Sequence, residues 1–252
     1  MNIDHPNSEQ ITGLRSLWKK AFGDDDAFLD QFFDAAFAPE RCRCAAQNGQ
    51  VMAVLYWFDV FCQGKKLAYI YAVATDPACR NRGLCRRLME DTASVLERRG
   101  YAGAMLVPQE ESLIRMYGKM GYDPCTGVSE FRCSAHSPAA EIRRVGSAAY
   151  GRARADLLPA GAVVQEGENL AFLQTQATLW TGPGIAAAVT VQGEHLHCLE
   201  LLGDPSAAPG ILKALGYDSG FFRCPGDGRP FAMLKPLTPA CPRPTYFGLA
   251  FD

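Results

Sequence analysis

Residues 67 to 107 read as strand, helix, strand, and this order constrains the fold more than any other feature of the chain. The first strand is "LAYIYAVAT", residues 67–75. The helix runs from about 83 to 99, with Leu84, Leu88, Thr92, Val95 and Leu96 on one side and Gly100 as its stop. The second strand is the short apolar run "GAMLV" at 103–107. Two strands joined through a helix lie parallel, and the crossover is right-handed.

The flanking sequence completes a mixed α+β pattern. Residues 8–22 place Ile11, Leu14, Trp18 and Phe22 on one helical stripe, with Ser8 as the expected N-cap. Gly23 ends that helix, and Asp24–Asp26 open a second, with Phe28, Leu29, Phe32 and Phe33 inward; acidic residues suit a helix start. From 41 to 75 the period shortens to three antiparallel strands turning at Asn48-Gly49 and Gly64. After the second parallel strand, a helix over about 112–120 carries Leu113, Met116, Tyr117 and Met120 on one face and stops at Gly121; a hairpin ends near "EFRC" at 130–133.

"SAHSPAA", residues 134–140, reads as a linker, which predicts one domain over 1–135 and a second over 141–252. In the second, "IAAAVTVQGEHLHCLELL" is a hairpin turning at Gly193, and a weak helix runs into Gly216-Tyr217-Asp218. That run echoes Gly121-Tyr122-Asp123, and Phe-Arg-Cys follows at 222–224 as it does at 131–133. The shared order favours a diverged internal repeat. Matching the two Gly-Tyr-Asp runs sets Leu212 opposite Tyr117.

Composition excludes several classes of partner. Net charge is -2, from 25 basic and 27 acidic residues, so nothing in the balance calls for nucleic acid or an anionic membrane. The N-terminus lacks a signal pattern, and the longest apolar run, "VMAVLYWFDVF", is interrupted by Asp59; a soluble cytoplasmic protein is expected. None of the ten cysteines has C-x-x-C spacing, so buried reduced thiols are expected and no metal site is assigned.

Between strand and helix stands "CRNRGLCRR", residues 79–87. A helix N-terminus presents unpaired N–H groups and about half a positive charge, glycine lets a ligand approach, and Arg80, Arg82 and Arg86 add full charges. The stretch is built to hold a phosphate or pyrophosphate. It has neither the order of a nucleotide P-loop nor that of a dinucleotide loop.

"VATDPACRNRGLCRRLME" resembles the coenzyme A-binding motif of the GNAT acetyltransferases, R/Q-x-x-G-x-G/A, with Arg80, Gly83 and Cys85 at its marked positions. Cys85 stands where glycine or alanine is usual. R-x-R-G-L-x-R at 80–86 and Y-G-x-x-G-Y-x-P at 117–124 are most similar to the enhanced-intracellular-survival (Eis) group, which carries a second, degenerate GNAT-like domain and usually a third that this chain is too short to hold. The resemblance implies a GNAT fold: a mixed, mostly antiparallel sheet flanked by helices, with a second, smaller degenerate α+β domain. It implies acetyl-CoA as co-substrate and a small-molecule or peptide amine as acceptor, and it leaves homo-oligomer formation open.

On that resemblance, pyrophosphate would sit on Asn81, Arg82, Gly83, Leu84, Cys85 and Arg86, with Arg80 beside them. Pantetheine would pair with Val73, Ala74 and Thr75. Ser112 and Leu113 would open the helix beside the thiol, and Tyr117 would be the general acid. The general base is open. Asp59, mid-strand, and a carboxylate at Asp252, which follows the apolar "YFGLAF", are the candidates; strand 67–75 has no glutamate in its interior. Tyr69 and Tyr71 share one face, either as acceptor lining or as core. The alternatives are a GNAT-like module that senses acyl-CoA without turnover, and a tandem-GNAT aminoacyltransferase.

Overall fold

The computed structural model describes residues 1–251. The chain divides into two compact units: Met1–Asp123 with Met233–Pro242, and Pro124–Ala232 with the residues from Arg243 onward. Among the described residues no helix is long and apolar enough to cross a membrane.

The first unit contains β1 (Asn2–Asp4), α1 (Ile11–Phe22), α2 (Asp26–Ala35), β2 (Cys42–Gln47), β3 (Gln50–Cys62), β4 (Lys65–Thr75), α3 (Leu84–Arg98), β5 (Gly103–Leu106) and α4 (Glu111–Gly118). The sheet runs β1-β2-β3-β4-β5 and then strand Met233–Pro236. β4 and β5 are parallel, as the helix between them requires. The middle of β3 is apolar without a break because both faces are covered. Tyr56 packs with Trp18 and Phe32 of α1 and α2, at ring distances of 5.2 and 5.1 Å. Its neighbours Leu55 and Trp57 enter the opposite core with Leu84, Leu88 and Leu96 of α3.

Two local expectations shift. Ser8 is not a cap: Asn7 caps a 3-10 turn over Ser8–Gln10 through a reciprocal pair of side-chain bonds with Gln10, and α1 follows it. Phe22, the last residue of α1, is 46% exposed, while Leu17 turns inward. The acidic run behaves as a helix start, since the Asp25 carboxylate accepts from the Phe28 N–H at 2.9 Å.

The second unit contains strand Arg143–Val145, α5 (Ser147–Leu157), α6 (Glu168–Gln176), strands Thr178–Gly182, Ile185–Gln192 and His195–Gly203, α7 (Ala208–Leu215) and strand Ser219–Pro225. The hairpin at Gly193 forms as expected, and Ser219–Pro225 lies parallel to His195–Gly203 across α7. The element order therefore repeats that of the first unit: strand, two helices, three-strand meander, crossover helix, parallel strand.

The predicted boundaries at 135 and 141 move. Gly127–Ser134, expected to close the first domain, pairs with Ser219–Pro225 in the second sheet. Its place beside β5 is taken by Met233–Pro236, from Met233↔Leu106 to Pro236↔Gly103. Each sheet is thus closed by a segment that the predicted boundaries assign to the other domain. Two short strands of similar pattern can each satisfy an edge, so local sequence does not choose between them.

The sequence echo is also reassigned. Gly100-Tyr101, Gly121-Tyr122 and Gly216-Tyr217 all close helices in the same way. Each tyrosine N–H reaches five residues back, to Leu96, Tyr117 and Leu212, at 3.0, 3.2 and 3.0 Å. This is the Schellman cap, with glycine at positive φ. Sheet order aligns α7 with α3 rather than α4. Both follow an Asp-Pro turn in which Asp76 and Asp204 each accept a backbone N–H at 2.9 Å. Leu212 is therefore not the counterpart of Tyr117; among the described residues no helix follows Ser219–Pro225 in the position of α4. The two Phe-Arg-Cys runs lie on neighbouring strands, with Phe131 opposite Phe222 and their rings stacked at 5.7 Å.

The exchange predicts how the chain tolerates division. A fragment 1–135 leaves the buried strand β5 with a bare edge, and it should aggregate or lose its cooperative melt. Residues 1–123 joined to 233–242 by a flexible linker should stay soluble and melt cooperatively. Calorimetry of both fragments checks this, and a cooperative melt of fragment 1–135 would contradict it.

Candidate functional site

The site begins with an irregularity in β4. Opposite β3 the register skips between Val54 and Tyr56, so that Leu55 faces two residues, Ala72 and Val73. Ala72 takes φ of 48°, the left-handed conformation of a bulged residue. The parallel pairing of β4 with β5 ends at Tyr69↔Met105. Beyond that point, among the described residues no strand pairs with Val73, Ala74 and Thr75 on the side toward β5. A backbone edge of this kind pairs with an extended ligand that carries amides.

The turn after β4 is tightly held. The Ala78 N–H and the Lys20 ammonium, 3.3 Å away, hold the Asp76 carboxyl below the usual carboxylate range. The Asp76 N–H in turn donates to Met52 O at 2.8 Å. Asn81 at φ 61° and Gly83 at φ 72° then reverse the chain into α3. Nothing lies within 4 Å of where a Gly83 side chain would project. Open space, not crowding, surrounds this glycine, so its role is its backbone conformation.

The N-terminus of α3 departs from ordinary helix design. No side chain caps it and its first turn holds no acidic residue. Instead Arg80, Arg82 and Arg86 surround it, all exposed. Among the described residues neither Arg82 nor Arg86 forms an ion pair. Uncapped N–H groups with added cations disfavour an isolated helix but suit one that receives an anion. The arrangement would grip a phosphate through backbone donors and arginine forks together.

α4 brings Tyr117 to the inner side of this loop. Tyr117 is 7% exposed and packs edge-on against Tyr122 at 5.8 Å. Burial, and then the Cys85 thiol beside it, raises the Tyr117 phenol above its usual range, so it keeps its proton at neutral pH. Val73, Leu84, Cys85, Leu113 and Tyr117 belong to one apolar cluster. Ser112 is exposed in the first turn of α4. The structure thus brings together the candidate residues of β4, the arginine loop and α4.

The candidate base Asp59 is not among them. Asp59 is engaged elsewhere: it accepts from Tyr101 Oη at 2.5 Å and pairs with Lys66 Nζ at 2.9 Å. These partners are the reason for a carboxylate in mid-strand. Asp252 lies outside the described residues. Tyr69 and Tyr71 both join the aromatic core on the α1 and α2 side, with Tyr71 5.7 Å from Trp18. Sequence reasoning missed the part played by Asp76, although the Asp-Pro pair that recurs at 204–205 was a signal. None of the ten cysteines forms a disulfide among the described residues, and six of them are buried.

Residues 2–125 match the family model of the acetyltransferase (GNAT) domain. No curated protein matches the chain. Among solved structures, the chain is similar to a GCN5-related N-acetyltransferase from Anabaena variabilis (TM-score 0.73, 14% identity, 94% of this chain and 73% of that one). It is similar to another from Kribbella flavida (0.71, 16%, 92% and 70%). It also matches Eis1 from Mycobacterium abscessus (0.69, 13%, 94% and 74%). At these identities the likeness is one of fold, and it extends over both units. Residues 2–125 thus match the GNAT acetyltransferase domain, and the chain has the GNAT fold.

Proposed function

We propose that this chain is an acetyl-CoA-dependent N-acetyltransferase acting on a primary amine of a small molecule or peptide. The observation that carries the reading is the uncapped, acid-free, arginine-flanked start of α3 at the end of a β4 edge left open by its bulge. The residues fit the co-substrate: backbone donors for a diphosphate, and a free strand edge for an amide-bearing arm. When bound, acetyl-CoA supplies a thioester activated toward acyl transfer.

The chain's own residues have four tasks. The N–H groups of Leu84, Cys85 and Arg86, with the Arg80, Arg82 and Arg86 side chains, hold the diphosphate. Val73–Thr75 align the arm, and a backbone N–H there polarises the thioester carbonyl. A base takes a proton from the acceptor nitrogen as it forms the C–N bond; Asp252 is the candidate. Tyr117, protonated at neutral pH, gives a proton to the thiolate as the C–S bond breaks.

The second unit repeats the element order of the first but has no arginine loop, since α7 follows directly on the turn Pro205–Ala207, and no counterpart of α4. We read it as a degenerate GNAT-like half, which makes the chain a tandem of the Eis-like kind.

Four measurements test the proposal. Replacing Arg82 and Gly83 together by alanine should weaken CoA binding by about tenfold or more, read by calorimetry, since charge-assisted bonds contribute about 1.5–3 kcal/mol each. Tyr117→Phe should lower kcat by about 10²- to 10⁴-fold while CoA affinity stays the same. Deleting residues 250–252 should abolish turnover and spare CoA binding; unchanged turnover would remove Asp252 from the mechanism. Saturable CoA binding with no thiol release across a broad amine panel would replace the enzyme by a sensor.

A further inference from the structure

The second unit contains a buried polar node that the proposed chemistry does not use. Glu200 is fully buried on strand His195–Gly203, beside a bulge that follows the last parallel pair, Cys198↔Phe222. In strand order this is the place where β4 of the first unit turns away from β5. Here the space is filled. The Glu200 carboxylate accepts from Arg154 Nε at 2.7 Å, Arg154 Nη2 at 3.0 Å, Tyr150 Oη at 3.0 Å and Tyr246 Oη at 3.1 Å. Arg154, 1% exposed, also donates to Gln165 Oε1 at 3.3 Å, and Gln165 Nε2 donates to Leu249 O at 2.8 Å.

Two of these partners, Tyr246 and Leu249, belong to the segment that closes the chain. Further bonds fasten it: Val163 N–H to Tyr246 O at 2.8 Å, and Thr245 N–H and Oγ1 to Gly161 O and Ala160 O at 3.1 and 2.8 Å. Tyr246, Phe247, Leu249 and Ala250 are buried, and the Phe251 ring meets Phe172 at 5.0 Å. At Gly248 a Cβ would overlap the Tyr246 hydroxyl and come within 2.7 Å of Glu200 Oε1, so only glycine passes the node.

We infer that the second unit is a clamp for the chain's own segment Arg243–Phe251, and that Glu200, Arg154 and Tyr246 are positioning residues that hold this segment in one register. An apolar plug of the same volume would be as stable as a buried ion pair. The polar node adds selectivity: it takes one hydroxyl and one carbonyl at fixed points, and a slip by one residue removes the Tyr246 donor from Glu200 and the Leu249 acceptor from Gln165. The fold that opens to a ligand in the first unit is, in the second, occupied by peptide. The clamp stands on the second unit alone. Its catalytic consequence rests on the reading of Asp252, the residue after Phe251, as the base.

The experiment uses the full chain with Gly248→Ala and Tyr246→Phe. Hydrogen exchange over 243–251 and release of C-terminal residues by carboxypeptidase report the clamp. CoA affinity and the exchange of β3 and β4 report the first unit. Gly248→Ala should speed exchange of the segment at least about tenfold, and Tyr246→Phe, which removes one hydrogen bond, about fivefold. CoA affinity and the exchange of β3 and β4 should not change. kcat should fall in both variants with KM for acetyl-CoA unchanged. If Gly248→Ala does not fold, Tyr246→Phe carries the test. A segment as well protected as in the parent chain overturns the clamp. A loosened segment with full kcat overturns the positioning role. In that case the 250–252 deletion separates the causes: if turnover survives it, the reading of Asp252 has failed; if turnover is lost, only the positioning claim has.

Discussion

The parallel pairing of β4 with β5 covers three residue pairs and stops at Tyr69↔Met105. Most of what this molecule can do follows from that stop. The bulge at Ala72 rotates the remainder of β4 away from β5, which opens a backbone edge in the interior of the sheet. The next turn, fastened by Asp76, delivers the chain to α3 with its N-terminus beside that edge. The open strand edge and the positive helix end come as a pair because one short connection links them. An extended ligand with a diphosphate at one end matches both.

The second unit shows what the same order of elements becomes when its parts are replaced. The strand equivalent to β4 again carries a bulge just past its parallel pairing. There is no glycine–arginine loop, and α7 begins immediately after its 3-10 turn. The space holds Glu200, Arg154 and a segment of the chain itself. Burial raises the Tyr150 and Tyr246 phenols and keeps both as hydrogen-bond donors to the Glu200 carboxylate. A fully buried carboxylate persists only when its lone pairs are matched, and here four donors match them.

Sequence patterning succeeded where structure is local. The meander turning at Asn48-Gly49 and Gly64, the helix with Leu84, Leu88 and Leu96 inward, and the arginine loop were all legible, because hydrophobic period, turn residues and helix ends act within a few residues. It failed at α5 and α6. The inward face of α5 is made by Tyr150 and by a fully buried arginine, Arg154, so no apolar stripe marks it. The repeat was detectable, but the Gly-Tyr echo that suggested it is a helix-capping device, which occurs wherever a helix must stop. The more informative echo was Asp-Pro at 76–77 and 204–205.

By itself the sequence determined the mixed α+β class, the parallel crossover and the arginine-flanked start of α3, since each is written in residues that are neighbours along the chain. Only the tertiary structure decided which strand closes which sheet, that Asp59 serves Tyr101 and Lys66, and that the final segment is held by Glu200. Apart from the Asp59–Lys66 pair on adjacent strands, those outcomes depend on residues tens to more than a hundred positions apart. Pairing of that kind is selected by the whole packed arrangement, and no local propensity encodes it.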